Sequence, residues 1–154
     1  MVRIAIALGS NLGDRDAHLT SAIDQLTHVV TGLRASSFIE TDPVDVDEPQ
    51  PLYLNAVVVG ETDLPPRALL DRLLAIERAH GRARPSFRAA RTLDLDVILY
   101  GHAVLHEDGL DVPHPRFRAR RFVLAPLAEV ARDWIDPVTG KTMGELLAQL
   151  PLLP

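Results

Sequence analysis

The chain has 154 residues, of which 47% are hydrophobic, with a formal net charge of −5 at pH 7 and no cysteine. This length is typical of one domain, so we expect a single domain over residues 1–154, and the acidic balance argues against general nucleic-acid binding. The lack of cysteine excludes disulfides and zinc–thiolate sites, and the longest apolar runs are too short to span a membrane, so we expect a cytoplasmic protein.

The first third of the chain predicts a strand, a helix and a second strand. Residues 4–8 are apolar and predict a buried strand, followed by a tight turn over 9–14. Apolar residues then recur at helical spacing from 16 to about 31. Residues 33–41 alternate between apolar and polar types, which predicts the second strand.

The middle of the chain repeats this order of elements. The Pro- and acid-rich residues 42–52 predict a loop, of a length that is more often functional than a plain connection. A third strand is predicted over 53–60. Two prolines, Pro65 and Pro66, open a long helix that Gly81 ends.

A fourth strand, over 92–100, completes the order β-α-β-β-α-β, and two shorter helices are predicted over 122–131 and 143–150. This order is that of the ferredoxin-like class of α+β folds. We therefore expect an antiparallel sheet with helices on one face and short C-terminal helices, leaving an open face. The same fold hosts binding modules and enzymes, so the order of elements decides nothing about function.

The fourth strand carries the most informative residues of the chain. Its alternation places Leu93, Leu95, Val97 and Leu99 on one face, and Thr92, Asp94, Asp96 and Ile98 on the other. The Cβ atoms of the two aspartates are then roughly 6–7 Å apart, so both carboxylates can reach one hard cation or hold two neighbouring ones. Two like charges this close are costly without a cation, which favours Mg²⁺ completed by phosphate oxygens.

Two arginine clusters strengthen the case for phosphate. Eight of the fifteen arginines fall in two short windows. They are Arg82, Arg84, Arg88 and Arg91 before the acidic strand, and Arg116, Arg118, Arg120 and Arg121 after a His-Pro turn. Arginine grips phosphate with a planar fork. Without these clusters, the better interpretation of the two aspartates would be ordinary polar residues of a wet sheet face.

Two further features point to a small-molecule ligand. Tyr53 and Asn55 share one face of a strand, so an aromatic ring lies beside an amide whose donor and acceptor suit a heterocycle. His114 lies between two prolines next to an arginine cluster, and is as well explained by a surface position as by a ligand contact.

These pieces, taken in order, resemble the 6-hydroxymethyl-7,8-dihydropterin pyrophosphokinase family of folate biosynthesis. The resemblance extends over nearly the whole chain, and the ordered set of motifs is specific although each motif alone is not. The segments that carry it are 7–14, 36–44, 53–56, 76–77, 91–96, 112–116 and 122–127.

The resemblance implies an enzyme that transfers pyrophosphate from ATP to the pterin hydroxymethyl group and releases AMP. Its substrates would be these two small molecules, and we expect a monomer. The metal ligands would be Asp94 and Asp96, holding two Mg²⁺ ions. The resemblance assigns Thr41, Pro43, Val44, Tyr53, Asn55 and Phe122 to the pterin pocket. It assigns Arg82, Arg91, Asp94 and Asp96 to catalysis, and Glu77, Arg84, Arg91, His114, Arg116 and Arg120 to the nucleotide.

The chain departs from the family pattern in three places. It has Arg88-Ala89-Ala90 where the family often has Trp-Gly-Pro, Leu74 where a glutamine occurs, and Asp45 where a glycine often stands.

Two other functions remain compatible with the motifs. One is a non-catalytic ferredoxin-like sensor of a nucleotide or small molecule, and the other is a metal-dependent nucleotidyl transferase, which would release pyrophosphate instead of AMP.

Overall fold

The computed structural model describes residues 1–42, 51–81 and 92–151, which form a mixed α/β structure with one antiparallel main sheet and four α-helices. The strands of the main sheet are β1 (Val2–Ser10), β2 (Thr31–Ala35), β3 (Ile39–Thr41), β4 (Tyr53–Thr62) and β5 (Asp94–Tyr100). A small hairpin consists of β6 (Leu105–Glu107) and β7 (Leu110–Val112). The helices are α1 (Arg15–Leu26), α2 (Pro66–Ala79), α3 (Arg121–Ala131) and α4 (Met143–Gln149), with a short 3₁₀ turn at Phe117–Ala119.

The apolar strand β1 lies in the interior of the main sheet, between β4 and β5. The strand order is β2-β4-β1-β5, and β3 pairs with β4 beside β2. Every pairing in this sheet is antiparallel. The strand that carries the two aspartates is therefore the direct neighbour of β1, and only β1 separates it from the strand of Tyr53 and Asn55.

Both faces of the sheet are packed by helices. Ile6 and Leu8 of β1 belong to a core with Leu19 of α1 and Leu73 of α2. On the opposite face, the second core consists of Ala5, Val57, Val59, Ile98 and Leu99 from the strands with Phe117, Val123, Leu124, Leu127, Ala131, Met143 and Leu146. The expectation of helices on one face holds for α1 and α2 only. The strands are apolar on both faces, so α3 and α4 are needed to cover the second one.

The structure differs from the predicted elements in one helix end, one divided strand and one additional hairpin. The first helix ends at Leu26, not near residue 31, because the chain turns and enters β2 at Thr31. The predicted strand 33–41 is two strands, since Ser36 interrupts it and its hydroxyl accepts the Val57 N–H at 2.9 Å. The β6–β7 hairpin was not predicted. In the described parts of the chain, no helix combines the length and apolarity needed to cross a membrane.

A β-bulge in β5 corrects the predicted alternation. Ile6 pairs with Val97 and Ala5 pairs with Leu99, so Ile98 is an extra residue without a partner in β1. Val97 belongs to the first core, whereas Ile98 and Leu99 both belong to the second. The prediction that Leu99 shares a face with Val97 is therefore wrong, because the inserted residue reverses the alternation.

Candidate functional site

The candidate site lies at one end of the main sheet. It is on the same face that α3 and α4 cover over the rest of the sheet. Gly9 of β1 pairs with Asn55 of β4 on one side and with Asp94 of β5 on the other. Directly paired residues of antiparallel strands project to the same face. Neighbouring strands are about 4.8 Å apart, so the amide and the carboxylate flank the glycine with their Cα atoms roughly 10 Å apart.

Because Gly9 has no side chain, the surface of the sheet has a depression at this position. A Cβ atom at Gly9 would lie 3.5 Å from Asn55 Oδ1 and 3.5 Å from Tyr53 Cδ1. The aromatic ring and the amide therefore converge above the glycine. Gly9 was not singled out as a site residue by the sequence, and only its register against Asn55 and Asp94 reveals its place.

The amide of Asn55 is oriented by the neighbouring strand. Its Nδ2 group donates to Thr41 Oγ1 at 2.7 Å and to the Ile39 carbonyl at 3.4 Å. The side chain is buried, with 5% exposure. Thr41 pairs with Tyr53 in the β3–β4 ladder. The structure thus brings together the predicted pocket residues Thr41, Tyr53 and Asn55, while their contact with a substrate stays a prediction.

The two aspartates lie two register positions apart on β5. Asp94 pairs with Gly9, and Asp96 pairs with Ala7, so both carboxylates project to the face of Asn55. Both side chains are partly exposed. Within the described residues, no cluster of three or more His, Cys, Asp or Glu side chains could hold a metal ion.

This ligand set fits Mg²⁺. The ion prefers oxygen ligands, and it is commonly held by one or two carboxylates together with water and substrate phosphates. Asp94 and Asp96 provide such carboxylates, and the remaining coordination positions would fall to phosphate oxygens and water. A fully protein-bound metal would need more ligands than these two residues supply.

The end of α2 fixes the strand of the aspartates. Glu77 is 2% exposed, and its Oε2 accepts the Leu95 N–H at 2.7 Å. The hydroxyl of Thr92 donates to the His80 carbonyl. Glu77 was predicted as a nucleotide-side residue. In the structure, its carboxylate binds the backbone between Asp94 and Asp96, so it supports the strand that carries both.

His114 lies beside the aspartate strand in a neutral form. The backbone N–H of His114 donates to the carbonyl of the bulged residue Ile98 at 3.0 Å, and this hydrogen bond joins the His-Pro turn to β5. Burial, together with the charges of Arg120 and Arg116, lowers the pKa of His114 to about 4 against the opposing influence of Asp94 and Asp111. Its Nδ1 accepts the Arg116 N–H at 3.1 Å, so Nε2 carries the proton and can donate to a ligand.

The second arginine cluster divides into two pairs. Arg118 binds the buried carboxylate of Asp136, with its Nη2 donating at 2.9 Å, and Arg121 Nη2 donates to the Pro151 carbonyl at 2.9 Å. Sequence reasoning had grouped both with the phosphate-binding arginines, and these contacts instead hold the C-terminal segment in place. Arg116 and Arg120 remain the candidates for the nucleotide.

Phe122 is the second residue of α3. It is partly buried against the second core, and the guanidinium of Arg120 lies 5.5 Å from its ring centroid. This arrangement is a cation–π contact. The predicted pterin residue and the predicted nucleotide residue are thus in contact with each other.

Five predicted site residues lie outside the described residues. They are Pro43 and Val44 of the predicted acid-rich loop, and Arg82, Arg84 and Arg91 of the first arginine cluster. Their assignments stay predictions.

Comparisons with known proteins agree with one another. The family model 7,8-dihydro-6-hydroxymethylpterin-pyrophosphokinase matches residues 5–132. A protein of Synechocystis sp. called 2-amino-4-hydroxy-6-hydroxymethyldihydropteridine pyrophosphokinase is 43% identical over 148 residues, which cover 94% of this chain and 74% of the relative. A Haemophilus influenzae protein of the same description is 42% identical, with coverage of 97% and 93%.

Solved structures give the same fold. The crystal structure of Plasmodium falciparum HPPK-DHPS matches with a TM-score of 0.76 at 13% identity, covering 96% of this chain and 44% of that one. At this identity, the match is a statement about fold alone. The family match and the relatives above 40% identity show that the chain belongs to the 7,8-dihydro-6-hydroxymethylpterin-pyrophosphokinase family.

Proposed function

We propose that this chain transfers the pyrophosphoryl group of ATP to the hydroxymethyl group of 6-hydroxymethyl-7,8-dihydropterin, a step of folate biosynthesis. Membership of the pyrophosphokinase family supports this activity. The structural observation that carries it is the row of Asn55, Gly9 and Asp94 across three strands. This row sets an amide and a carboxylate on one face, which is the arrangement that a heterocycle site beside a metal site requires.

The reaction is a single displacement at phosphorus. The hydroxymethyl oxygen attacks the β-phosphorus of ATP, and the bond from that phosphorus to the oxygen bridging to the α-phosphorus breaks. AMP leaves with the bridging oxygen, the β- and γ-phosphates stay on the pterin, and the hydroxyl proton passes to solvent. Such a transfer requires positioning and charge neutralisation more than covalent participation by the protein.

The heterocycle would lie above Gly9. Tyr53 supplies an aromatic surface, Asn55 Oδ1 accepts a hydrogen bond from the ring, and Phe122 closes the opposite side. Because Asn55 Nδ2 already binds Thr41, the amide keeps one orientation before substrate arrives. Pro43 and Val44 would extend the pocket wall.

The triphosphate would lie on the β5 side. Asp94 and Asp96 would hold two Mg²⁺ ions, which supply charge neutralisation of the phosphate oxygens when bound. Neutral His114 would donate from Nε2 to a phosphate oxygen, and Arg116 and Arg120, which follow it within six residues, would bind the same phosphates. Arg82, Arg84 and Arg91 would stabilise the charge on the transferred group and on AMP.

Three broader expectations also stay proposals. The strand order β2-β4-β1-β5 supports assignment to the ferredoxin-like class, with α3 and α4 added on the second face. A cytoplasmic location and a monomeric state are carried over from the sequence.

Product identification tests the activity. With ATP, the dihydropterin and Mg²⁺, we expect AMP and pyrophosphorylated pterin. Pyrophosphate release would instead favour the nucleotidyl transferase, and nucleotide binding without any product would favour the sensor.

Variants test the metal ligands. Asp94→Asn and Asp96→Asn keep the side-chain shape but remove anionic ligands, so we expect turnover to fall by at least about 100-fold with folding intact. Asp71→Asn is the matched control, since Asp71 is exposed on α2. Near-normal turnover in both site variants would refute the metal assignment.

A further inference from the structure

Arg15, the first residue of α1, reaches across to the strands of the proposed heterocycle pocket. Its Nη1 donates to Glu40 Oε2 at 3.1 Å and to the Leu52 carbonyl at 2.8 Å. Glu40 is in β3, and Leu52 immediately precedes β4. One guanidinium thus joins the end of one strand to the start of the next.

The two residues that Arg15 binds are the chain neighbours of pocket residues. Glu40 precedes Thr41, and Leu52 precedes Tyr53, and these two neighbours pair with each other at the end of the β3–β4 ladder. Arg15 therefore closes the end of that ladder. Because Thr41 Oγ1 accepts from Asn55 Nδ2, a shift of β3 against β4 would change the orientation of the amide.

A second contact from the same region acts on the same stretch of chain. Asn11, which is fully buried, donates from Nδ2 to the Pro51 carbonyl at 3.2 Å. Asp14 caps α1 by accepting the Ala17 N–H at 3.1 Å, which fixes where the helix, and with it Arg15, begins. The turn before α1 and its first residue thus hold both Pro51 and Leu52.

We propose that Arg15 is a positioning residue for substrate binding, which keeps β3 and β4 in the register that orients Thr41 and Asn55 toward the dihydropterin. This inference rests on the proposed function. It assigns a role to the start of α1 that is distinct from contact with either substrate, since Arg15 binds Glu40 and the backbone of Leu52.

The proposal predicts that loss of Arg15 weakens dihydropterin binding without lowering the stability of the fold. A partly exposed ion pair contributes little to folding, so loss of Arg15 should leave the fold intact. A misplaced Asn55 amide should weaken dihydropterin binding, because that binding depends on hydrogen-bond geometry. ATP, bound on the β5 side, should be affected little.

The chain offers a matched control. Arg67 of α2 makes the same pair of contacts elsewhere: its Nη1 donates to the Asp108 carbonyl at 2.8 Å, and its Nη2 binds Glu107 Oε1 at 3.2 Å. Arg67→Met therefore removes one carboxylate contact and one carbonyl contact, as Arg15→Met does, but at the β6–β7 hairpin.

Calorimetric titrations of the full chain with 6-hydroxymethyl-7,8-dihydropterin, and separately with α,β-methylene-ATP plus Mg²⁺, test the proposal. For Arg15→Met we expect dihydropterin affinity to fall roughly three- to tenfold, with ATP-analogue affinity within about twofold of the wild type. Arg15→Lys retains the charge opposite Glu40 and should recover part of the loss. Arg67→Met should bind both ligands as the wild type does.

The side-chain amide signals of Asn55 in ¹H–¹⁵N NMR spectra give a readout that does not depend on ligand. They should shift in Arg15→Met and stay unchanged in Arg67→Met. Wild-type dihydropterin affinity in Arg15→Met, or equal loss of both ligands, would overturn the proposal. Failure of the wild-type protein itself to bind dihydropterin would instead count against the proposed function.

Discussion

At Asn55, the physical demands of folding and of ligand binding meet in one side chain. The residue is almost completely buried, and a buried amide must satisfy its hydrogen bonds. Its donor group is satisfied by Thr41 and by the Ile39 carbonyl. The Oδ1 atom lies on the side of Gly9, where the missing side chain leaves room. The protein thus fixes the amide through its donor and presents its acceptor.

The prediction at the residue scale concerns the side-chain amide of Asn55. Asn55→Ala should weaken dihydropterin binding by about 1–3 kcal/mol, because the polar groups of the heterocycle would lose a partner in a desolvated position. Calorimetric titration with dihydropterin measures the loss, and titration with α,β-methylene-ATP plus Mg²⁺ serves as the control. If both affinities fall equally, Asn55 has been assigned to the wrong ligand.

At the scale of elements, one buried ion pair anchors the segment between β7 and α3. Arg118 binds Asp136, whose side chain has 0% exposure. Asp136 also accepts the Val138 N–H at 3.0 Å and the Thr139 hydroxyl at 2.7 Å. His114, Arg116 and Arg120 belong to the same segment as Arg118, so this carboxylate holds the predicted nucleotide residues to the loop before α4.

This network predicts a contribution of Asp136 to stability that depends on pH. Burial alone raises the pKa of Asp136, but the hydrogen bonds from Arg118, Thr139 and Val138, with the charge of Arg118, lower it to about 2 from 3.8. A carboxyl whose pKa is lower in the folded state stabilises the fold above its unfolded pKa. The contribution, about 2 kcal/mol, is lost as the pH falls from about 4 through 2.

Urea unfolding from pH 7 to pH 2 measures this effect. Asp136→Asn should be less stable than the wild type at pH 7, and the difference in unfolding free energy should shrink by about 2 kcal/mol at pH 2. Asp133→Asn, at an exposed position of the same loop, is the control and should show no such convergence. A difference independent of pH would show that the carboxylate charge does not stabilise the fold.

At the scale of the whole molecule, the two hydrophobic cores share their strands. Alternate residues of β1 enter opposite cores, with Ile4, Ile6 and Leu8 in one and Ala5 in the other. Because β1, β4 and β5 contribute to both, neither core can be completed without the same three strands. The two layers of helices therefore depend on one common sheet.

This shared sheet predicts one cooperative unit over residues 1–154. Differential scanning calorimetry should give a single transition whose calorimetric and van't Hoff enthalpies agree. Two resolved transitions, or a van't Hoff enthalpy well below the calorimetric one, would contradict the single-domain expectation.

The local residue pattern was sufficient to predict most elements. It also predicted which face of the aspartate strand is apolar and which is polar. Alternation over residues 92–97 correctly assigned Leu93, Leu95 and Val97 to one core and Asp94 to the other face. Helical spacing and the prolines at the start of α2 predicted that helix closely. These features are encoded by neighbours in the chain, so they can be inferred without knowing what packs against them.

The resemblance to the pyrophosphokinase family, carried by ordered motifs, also came from the sequence alone. The motifs do not reveal which arginines make contacts within the fold and which are available to bind a ligand. Arg118 and Arg120 look equivalent in the chain, but the position of Asp136, 18 residues away from Arg118, commits Arg118 to an ion pair within the fold.

The tertiary structure alone decided the register of the sheet. The bulge at Ile98 and the split between β2 and β3 arise from pairing with distant strands, and one inserted residue reverses every later side chain. Gly9 likewise gains its place between Asn55 and Asp94 only when β1 lies between β4 and β5. The sequence by itself determined most of the elements, the family and the chemistry of the candidate residues, because these depend on residue type and local spacing. Which of those residues share a surface depends on contacts between segments far apart in the chain, and only the folded sheet decided it.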